Sequence, residues 1–363
     1  MRTSVSRTQK TILTVSEAKR LIDTYITNVL DIRADSASTV HPHYERLWHS
    51  IKSVYAAGGK RLRPYMTLLM YQAYGGDDIE AVLPAASAQE LIHQAMLAHD
   101  DIIDRDSIRY GVKNISGQYL DEYAPHADGP SEGRHFADAA AILAGDLLIS
   151  EAYAQLAQSD VPTEMLHRAQ SRLNEAVFHV AGGELLDTEA SFYQEGAITP
   201  LTIAEQKTAS YSFVGPLTMG AVLGGASDEQ IGILKHLGTS VGIAYQLRDD
   251  LIGVFGDSTV TGKSTDGDIR EGKRTLLIEE FLKRADDEQR ARFNAIFGNP
   301  HASNGEIDEV RNLLTQTGAR EAIEGFIETY KVQTTEHLAA LDISAAHRDV
   351  LAQLIETSLK RDY

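Results

Sequence analysis

The chain has 363 residues, 43% hydrophobic and 24% charged, enough apolar content to bury the core of one large or two ordinary domains. Its net charge of −18, from 34 Lys and Arg against 52 Asp and Glu, argues against nucleic acid or an anionic membrane as a general partner. With no cysteine, disulfides, thiolate catalysis and zinc–cysteine sites are excluded, and a cytoplasmic setting is expected.

Residues 1–13 are Ser/Thr-rich and basic and read as a flexible N-terminal tail ahead of a single all-helical domain over 14–363. Thr14-Val-Ser-Glu17 is a capping box that opens a helix to about Leu30. A second helix is predicted over Tyr44 to Ala57, ending at Gly58-Gly59, and a third over 64–74 with Pro64 in its first turn. The next, from Asp78 or Pro84 to Asp104, carries the cluster HDDIID at 99–104. Residues 121–135 are the most loop-like stretch and suit a lid or surface insertion.

Helices resume over 136–158, 162–183, 201–224 and 228–252, the last carrying RDDLIG at 248–253. A loop rich in Gly, Asp and Lys follows at 253–273, then more helix with a break near Asn299 to Asn304. Strand-like alternation is nearly absent, so the fold is expected to be all-α. The longest apolar stretch, 139–149, is interrupted by Asp146, and no transmembrane helix is predicted.

The two acidic clusters carry the chemistry. Two like charges at ~4 Å repel by roughly 4 kcal/mol at an effective dielectric near 20, so a clustered set in an apolar helix implies a cation. On a helix Asp100 and Asp104 fall about 40° apart, Asp101 lies beside them and His93 is about 20° from Asp100 two turns earlier. Magnesium suits that donor set, with water and substrate phosphate completing its shell. A solvated acidic helix end is the plain alternative, and the apolar flanks LIHQAMLAH and II disfavour it.

In the second cluster Gln246 is one turn from both Asp249 and Asp250, and the loop behind it offers Lys263, Asp268 and Lys273. The basic counterpart is GGKRLRP at 58–64, where two glycines let backbone approach a ligand closely and Lys60, Arg61 and Arg63 follow. It is no P-loop, since the Gly-Lys-Ser/Thr ending is missing. A cationic helix start on the surface is the plain alternative.

GGKRLRP, LIHQAMLAHDDIIDRDSIRYG at 91–111, Lys207-Thr208 and YQLRDDLIGVFGD…GKSTDGDIREGK at 245–273 resemble the trans-isoprenyl diphosphate synthases, or polyprenyl synthetases. The resemblance runs in order from about residue 44 to 280, with wording closest to the bacterial geranylgeranyl diphosphate synthase-like branch. It implies a helical bundle around a central cavity, usually a homodimer, in which the aspartate motifs face each other across magnesium. Three ions are expected with substrate bound.

By match, Asp100, Asp101 and Asp104 form the first metal platform and Asp249 and Asp250 the second. Lys60, Arg63 and His93 bind isopentenyl diphosphate, while Arg109, Lys207, Thr208, Gln246, Lys263 and Lys273 hold the allylic diphosphate. Lys207 and Lys263 count with the aspartates as catalytic. Two positions depart from the family pattern. Gly253 stands where a third aspartate is usual, with Asp268 a candidate to assist, and Tyr110 stands where a second arginine is usual.

Product length in this family depends on the residues four and five before the first aspartate, here Met96 and Ala95, with Leu91 and Ile92 one turn further. None is aromatic, which implies geranylgeranyl diphosphate or a longer product. Other readings are a class I terpene cyclase, a non-catalytic subunit of a heteromeric synthase, and, from His99-Asp100, a metal phosphohydrolase.

Overall fold

The computed structural model describes residues 11–190, 192, 197–256 and 266–360. These are overwhelmingly helical, as the periodicity predicts, and the chain groups into two compact units. The first runs to Leu173 and takes in Thr218–Ser227. The second comprises Asn174–Leu217 and the chain from Asp228 onward.

In the first unit α1 (Val15–Ser38), α2 (Pro42–Ala57), α3 (Leu62–Ala73), α4 (Ile79–Ile103), α5 (Ile115–Tyr123) and α6 (Pro130–Leu156) pack together, with α7 (Thr163–Ala190) beginning there. The Thr14–Glu17 box forms as expected: Thr14 N–H donates to Glu17 Oε2 at 2.9 Å and Glu17 N–H to Thr14 Oγ1 at 3.2 Å. Ile22, Ile26, Leu68, Leu69, Leu91 and Leu148 are fully buried at the centre. The long helix α6 is apolar enough to cross a membrane by length and composition alone. Half of its most apolar window is buried, and it packs along α4 and α5 as a core helix.

One expectation fails here. Residues 121–135 are no long loop: a short 3-10 turn at Ala124–His126 leads almost directly into α6, which Pro130 starts at N1. The composition is turn-like because it serves two helix ends in succession. A ribbon, β1 (Ile108–Arg109) paired antiparallel with β2 (Val112–Lys113), also forms, too short for any alternation to announce it.

In the second unit α10 (Asp228–Phe255) packs along residues 204–214 and on α15 (Ala319–Ala339). Leu247, Leu251, Phe281, Phe293, Leu314 and Ile323 form its core with α12 (Leu276–Arg284), α13 (Asp287–Ile296) and α14 (Asn304–Gln316). Between α10 and α12 lies α11 (Gly267–Glu271), and α16 (Ala345–Leu359) ends the chain. The helix predicted over 201–224 is three segments. A short α8 (Pro200–Ile203) passes into a π-helix over Ala204–Val214, and α9 (Gly215–Leu223) follows. Such widened turns cluster at functional sites.

Candidate functional site

The expected site residues fall into two sets. Lys60, Arg63, His93, Asp100, Asp101, Asp104, Arg109 and Tyr110 lie in the first unit; Lys207, Thr208, Gln246, Asp249, Asp250, Asp268 and Lys273 lie in the second. Lys263 lies outside the described residues.

In the first set the acids crowd the last turn of α4, where Asp104 is the C-cap. A helix C-terminus repels carboxylates through its dipole, so this placement lowers stability unless a cation answers it. Arg109, carried by the ribbon, answers in part. Its Nε donates to Asp101 Oδ1 at 2.8 Å and its Nη2 to Asp100 Oδ2 at 3.1 Å. Burial pushes Asp101 up to about 6 despite Arg109 beside it. Asn114, almost fully buried, also donates to Asp101 and sends its Nδ2–H to the Asp106 carbonyl at 2.9 Å. The motifs gave no sign of that support.

Tyr110 and Gly111 both take positive φ, 54° and 78°, the type I′ turn a two-residue hairpin needs. The Tyr110 ring lies against Gly58: a Cβ there would come within 2.7 Å of Tyr110 Cγ. Gly58 therefore admits an aromatic ring, not substrate, and the ribbon is braced on the basic segment. Burial raises the Tyr110 phenol pKa; Glu90 adds to this while Arg109, Arg63 and Arg61 oppose it. At this position the chain has a phenol set among cations.

The three cations of GGKRLRP separate. Lys60 is exposed and Arg63 half-buried. Arg61 is buried and points inward to Asp23 at 2.7 Å, Glu90 at 2.9 Å and the carbonyls of Gly58 and Tyr55. It also sits 3.9 Å over the Tyr55 ring. Arg61 is thus a structural rivet joining α1 to α4, with four of its five N–H donors spent on these inward contacts. His93 is held well below its ordinary pKa, first by burial and then by Arg63, Arg109 and Arg61, and is neutral at pH 7.

His99 turns away to α6, its Nε2 lying 3.2 Å from the Ile142 carbonyl. That occupies the ring that a His-Asp phosphohydrolase would need on its metal. Of the four residues linked to product length, Leu91, Ile92 and Ala95 are completely buried, and Met96, on the Asp100 side of α4, keeps partial exposure.

The second set is tied by a relay. Thr208 Oγ1 donates to Gln246 Oε1 at 2.5 Å, and Gln246 Nε2 donates to Asp250 Oδ1 at 2.8 Å. Burial pushes Asp250 up to about 7, Asp268 and Asp249 add to this, and Lys273 and Gln246 oppose it. Lys273 is itself raised: burial works against its charge, and Asp268, Asp250 and Asp187 outweigh that. Lys207, on the π-helix, is gripped by Asp187 at 2.7 Å and Glu184 at 3.0 Å, both on α7. The sequence reading missed these two acids, although GELLD places them at i and i+3 on one helix face behind two glycines.

These donors fit a hard divalent cation. Asp101 and Asp250 are carboxylates whose burial is incompletely compensated, so an added cation stabilises their charged forms. In metal-free protein the same fact has a measurable sign. Asp250 binds its proton more tightly folded than unfolded, so its contribution to stability is lost as pH rises from about 4 through about 7. Asp250→Asn is expected to be more stable than wild type above pH 7, on the order of a few kcal/mol, the gap closing toward pH 4. Urea unfolding in chelator across that range measures it. A gap independent of pH would refute the assignment.

Comparison with known proteins places the chain in a family. The polyprenyl synthetase family model matches residues 45–314. The short chain isoprenyl diphosphate synthase of Methanocaldococcus jannaschii is 32% identical over 287 residues, 79% of this chain and 82% of that one. The geranylfarnesyl diphosphate synthase of Aeropyrum pernix is 31% identical, covering 94% of this chain and 99% of its own. In structure, the geranylgeranyl pyrophosphate synthase of Corynebacterium glutamicum, complexed with isoprenyl diphosphate and magnesium, superposes with a TM-score of 0.89 at 32% identity, over 96% of this chain and 100% of that one. With both acidic clusters and all of their expected cations inside the matched span, the chain belongs to the polyprenyl synthetase family.

Proposed function

We propose that the protein is a magnesium-dependent trans-prenyltransferase that condenses isopentenyl diphosphate with an allylic diphosphate, giving geranylgeranyl diphosphate or a longer all-trans polyprenyl diphosphate. The observation that carries this is the second set: a buried carboxylate, Asp250, with Lys273 acting on it and Lys207 held by Asp187 on the same unit, on a scaffold shared with a synthase that binds isoprenyl diphosphate and magnesium.

Bound magnesium supplies positive charge that stabilises the departing diphosphate. The chain's own residues do the rest. Lys207, Thr208, Gln246 and Lys273 orient the allylic diphosphate, and the lysines stabilise charge that grows as its carbon–oxygen bond breaks and the diphosphate takes the electron pair. Lys60, Arg63 and neutral His93 hold isopentenyl diphosphate, whose double bond attacks the allylic cation. The proton then lost passes to the released diphosphate. Arg109 leaves part of its hold on Asp100 and Asp101 for phosphate oxygens.

Incubation of purified protein with magnesium, isopentenyl diphosphate and farnesyl diphosphate tests this directly. Elongated product is expected, and no turnover with any allylic primer would favour a non-catalytic subunit instead. Enlarging Met96 or Ala95 to phenylalanine is expected to shorten the product by at least one isoprene unit, read by mass spectrometry. Met96→Phe is the cleaner variant, because Ala95 is fully buried and a larger residue there also strains packing. A homodimer belongs to this reading. Exposed Phe136, Ile142 and Leu143 on α6, and exposed Phe178 and Leu185 on α7, are the surfaces that support it.

A further inference from the structure

We propose that Asp268 supplies the third carboxylate of the second acidic cluster, and that position 253 is glycine so that this carboxylate can enter. The proposal rests on the metal-binding reading above. Within this chain the first cluster has its third acid four residues after the first, Asp104 after Asp100. The second cluster has Gly253 at that place after Asp249.

A Cβ built on Gly253 would lie 2.1 Å from Asp268 Oδ2 and 3.0 Å from its Cγ. The space a side chain at 253 would fill is taken by a carboxylate arriving from α11. Helical geometry puts position 253 on the same face as Asp249 and Asp250, one turn on, so the donor reaches that face by another route. Backbone conformation does not explain the glycine. It lies within α10 and is absent from the positive-φ glycines, and an interior helical Gly costs about 1 kcal/mol against Ala. Only room explains it.

Lys273 completes the arrangement, with its N–H donating to the Asp268 carbonyl at 3.0 Å and its ammonium drawn by both Asp268 and Asp250. The α11 turn thus delivers one anion and one cation to the end of α10. Inserting an aspartate at 253 is therefore expected to harm the cluster it imitates, because it evicts Asp268 and disturbs Lys273.

The test measures Mn2+ binding by electron paramagnetic resonance in the presence of inorganic pyrophosphate. Gly253→Asp and Asp268→Gly are each expected to weaken Mn2+ about ten- to a hundredfold. The double variant, with the carboxylate moved back onto α10, is expected to recover most of that loss. Gly253→Ala, which adds bulk without charge, should resemble Gly253→Asp, and circular dichroism checks that each is folded. If Gly253→Asp fails to fold, Gly253→Ala and Asp268→Gly carry the test. Gly253→Asp binding Mn2+ as tightly as wild type, or Asp268→Gly leaving binding unchanged, overturns the proposal. A wild-type protein that binds neither Mn2+ nor pyrophosphate would instead overturn the underlying reading.

Discussion

Arg61→Met is expected to cost folding stability of about 3–5 kcal/mol, the range for removing one partner of a buried ion pair. Arg61 and Glu90 are both almost completely excluded from solvent and lie 2.9 Å apart. Burial already raises the Glu90 pKa, with Arg61 the largest opposing influence, so truncating Arg61 leaves a buried acid whose main counter-charge is gone. The change also removes hydrogen bonds to the Tyr55 and Gly58 carbonyls and the charge over the Tyr55 ring. Arg61 takes a left-handed conformation, φ 54°, which is strained for a non-glycine residue and tolerated while these contacts hold it. Urea unfolding measures the effect, with exposed Lys60→Met as a control that should unfold like wild type. A stable Arg61→Met with a raised KM for isopentenyl diphosphate would show that Arg61 serves substrate after all.

The largest expected loss of activity without loss of fold is at Lys207. Lys207→Met is expected to lower kcat about 10²- to 10³-fold, the usual effect of removing one pre-positioned group that stabilises transition-state charge. Asp187 and Glu184 fix the ammonium from α7, and the π-helix that carries it sets Thr208 beside it, at the head of the relay to Asp250. Because the leaving diphosphate gains charge only as its bond breaks, the loss should fall on kcat more than on KM for isopentenyl diphosphate. Steady-state kinetics separates the two. A change in kcat below about tenfold would remove Lys207 from the machinery. Asp187→Asn, which loosens the lysine without deleting it, should give a smaller fall.

The contrast between Arg61 and Lys207 shows what could be read from residue order. Both are cations in recognisable motifs. For Lys207 the Lys-Thr pair and the distant Gln-x-x-Asp-Asp are short local patterns, and the structure joins them through the Thr208–Gln246–Asp250 hydrogen bonds. For Arg61 the same reasoning places three cations in one patch, and only packing separates the inward one from Lys60 and Arg63. An arginine carries five donors, and which neighbours fill them depends on helices far apart in sequence.

The helical class, the α1 capping box and the two acidic clusters were determined by the sequence alone, since periodicity, capping and i, i+4 spacing are local properties. Tertiary structure decided the rest. It turned residues 204–214 into a π-helix, because i→i−5 and i→i−4 bonding suit the same composition. It set Glu184 and Asp187 on Lys207, laid Tyr110 over Gly58 and brought Asp268 to Gly253. In each of these a charge or a ring meets its partner across elements whose approach follows from the packing of whole helices, which no spacing along the chain encodes.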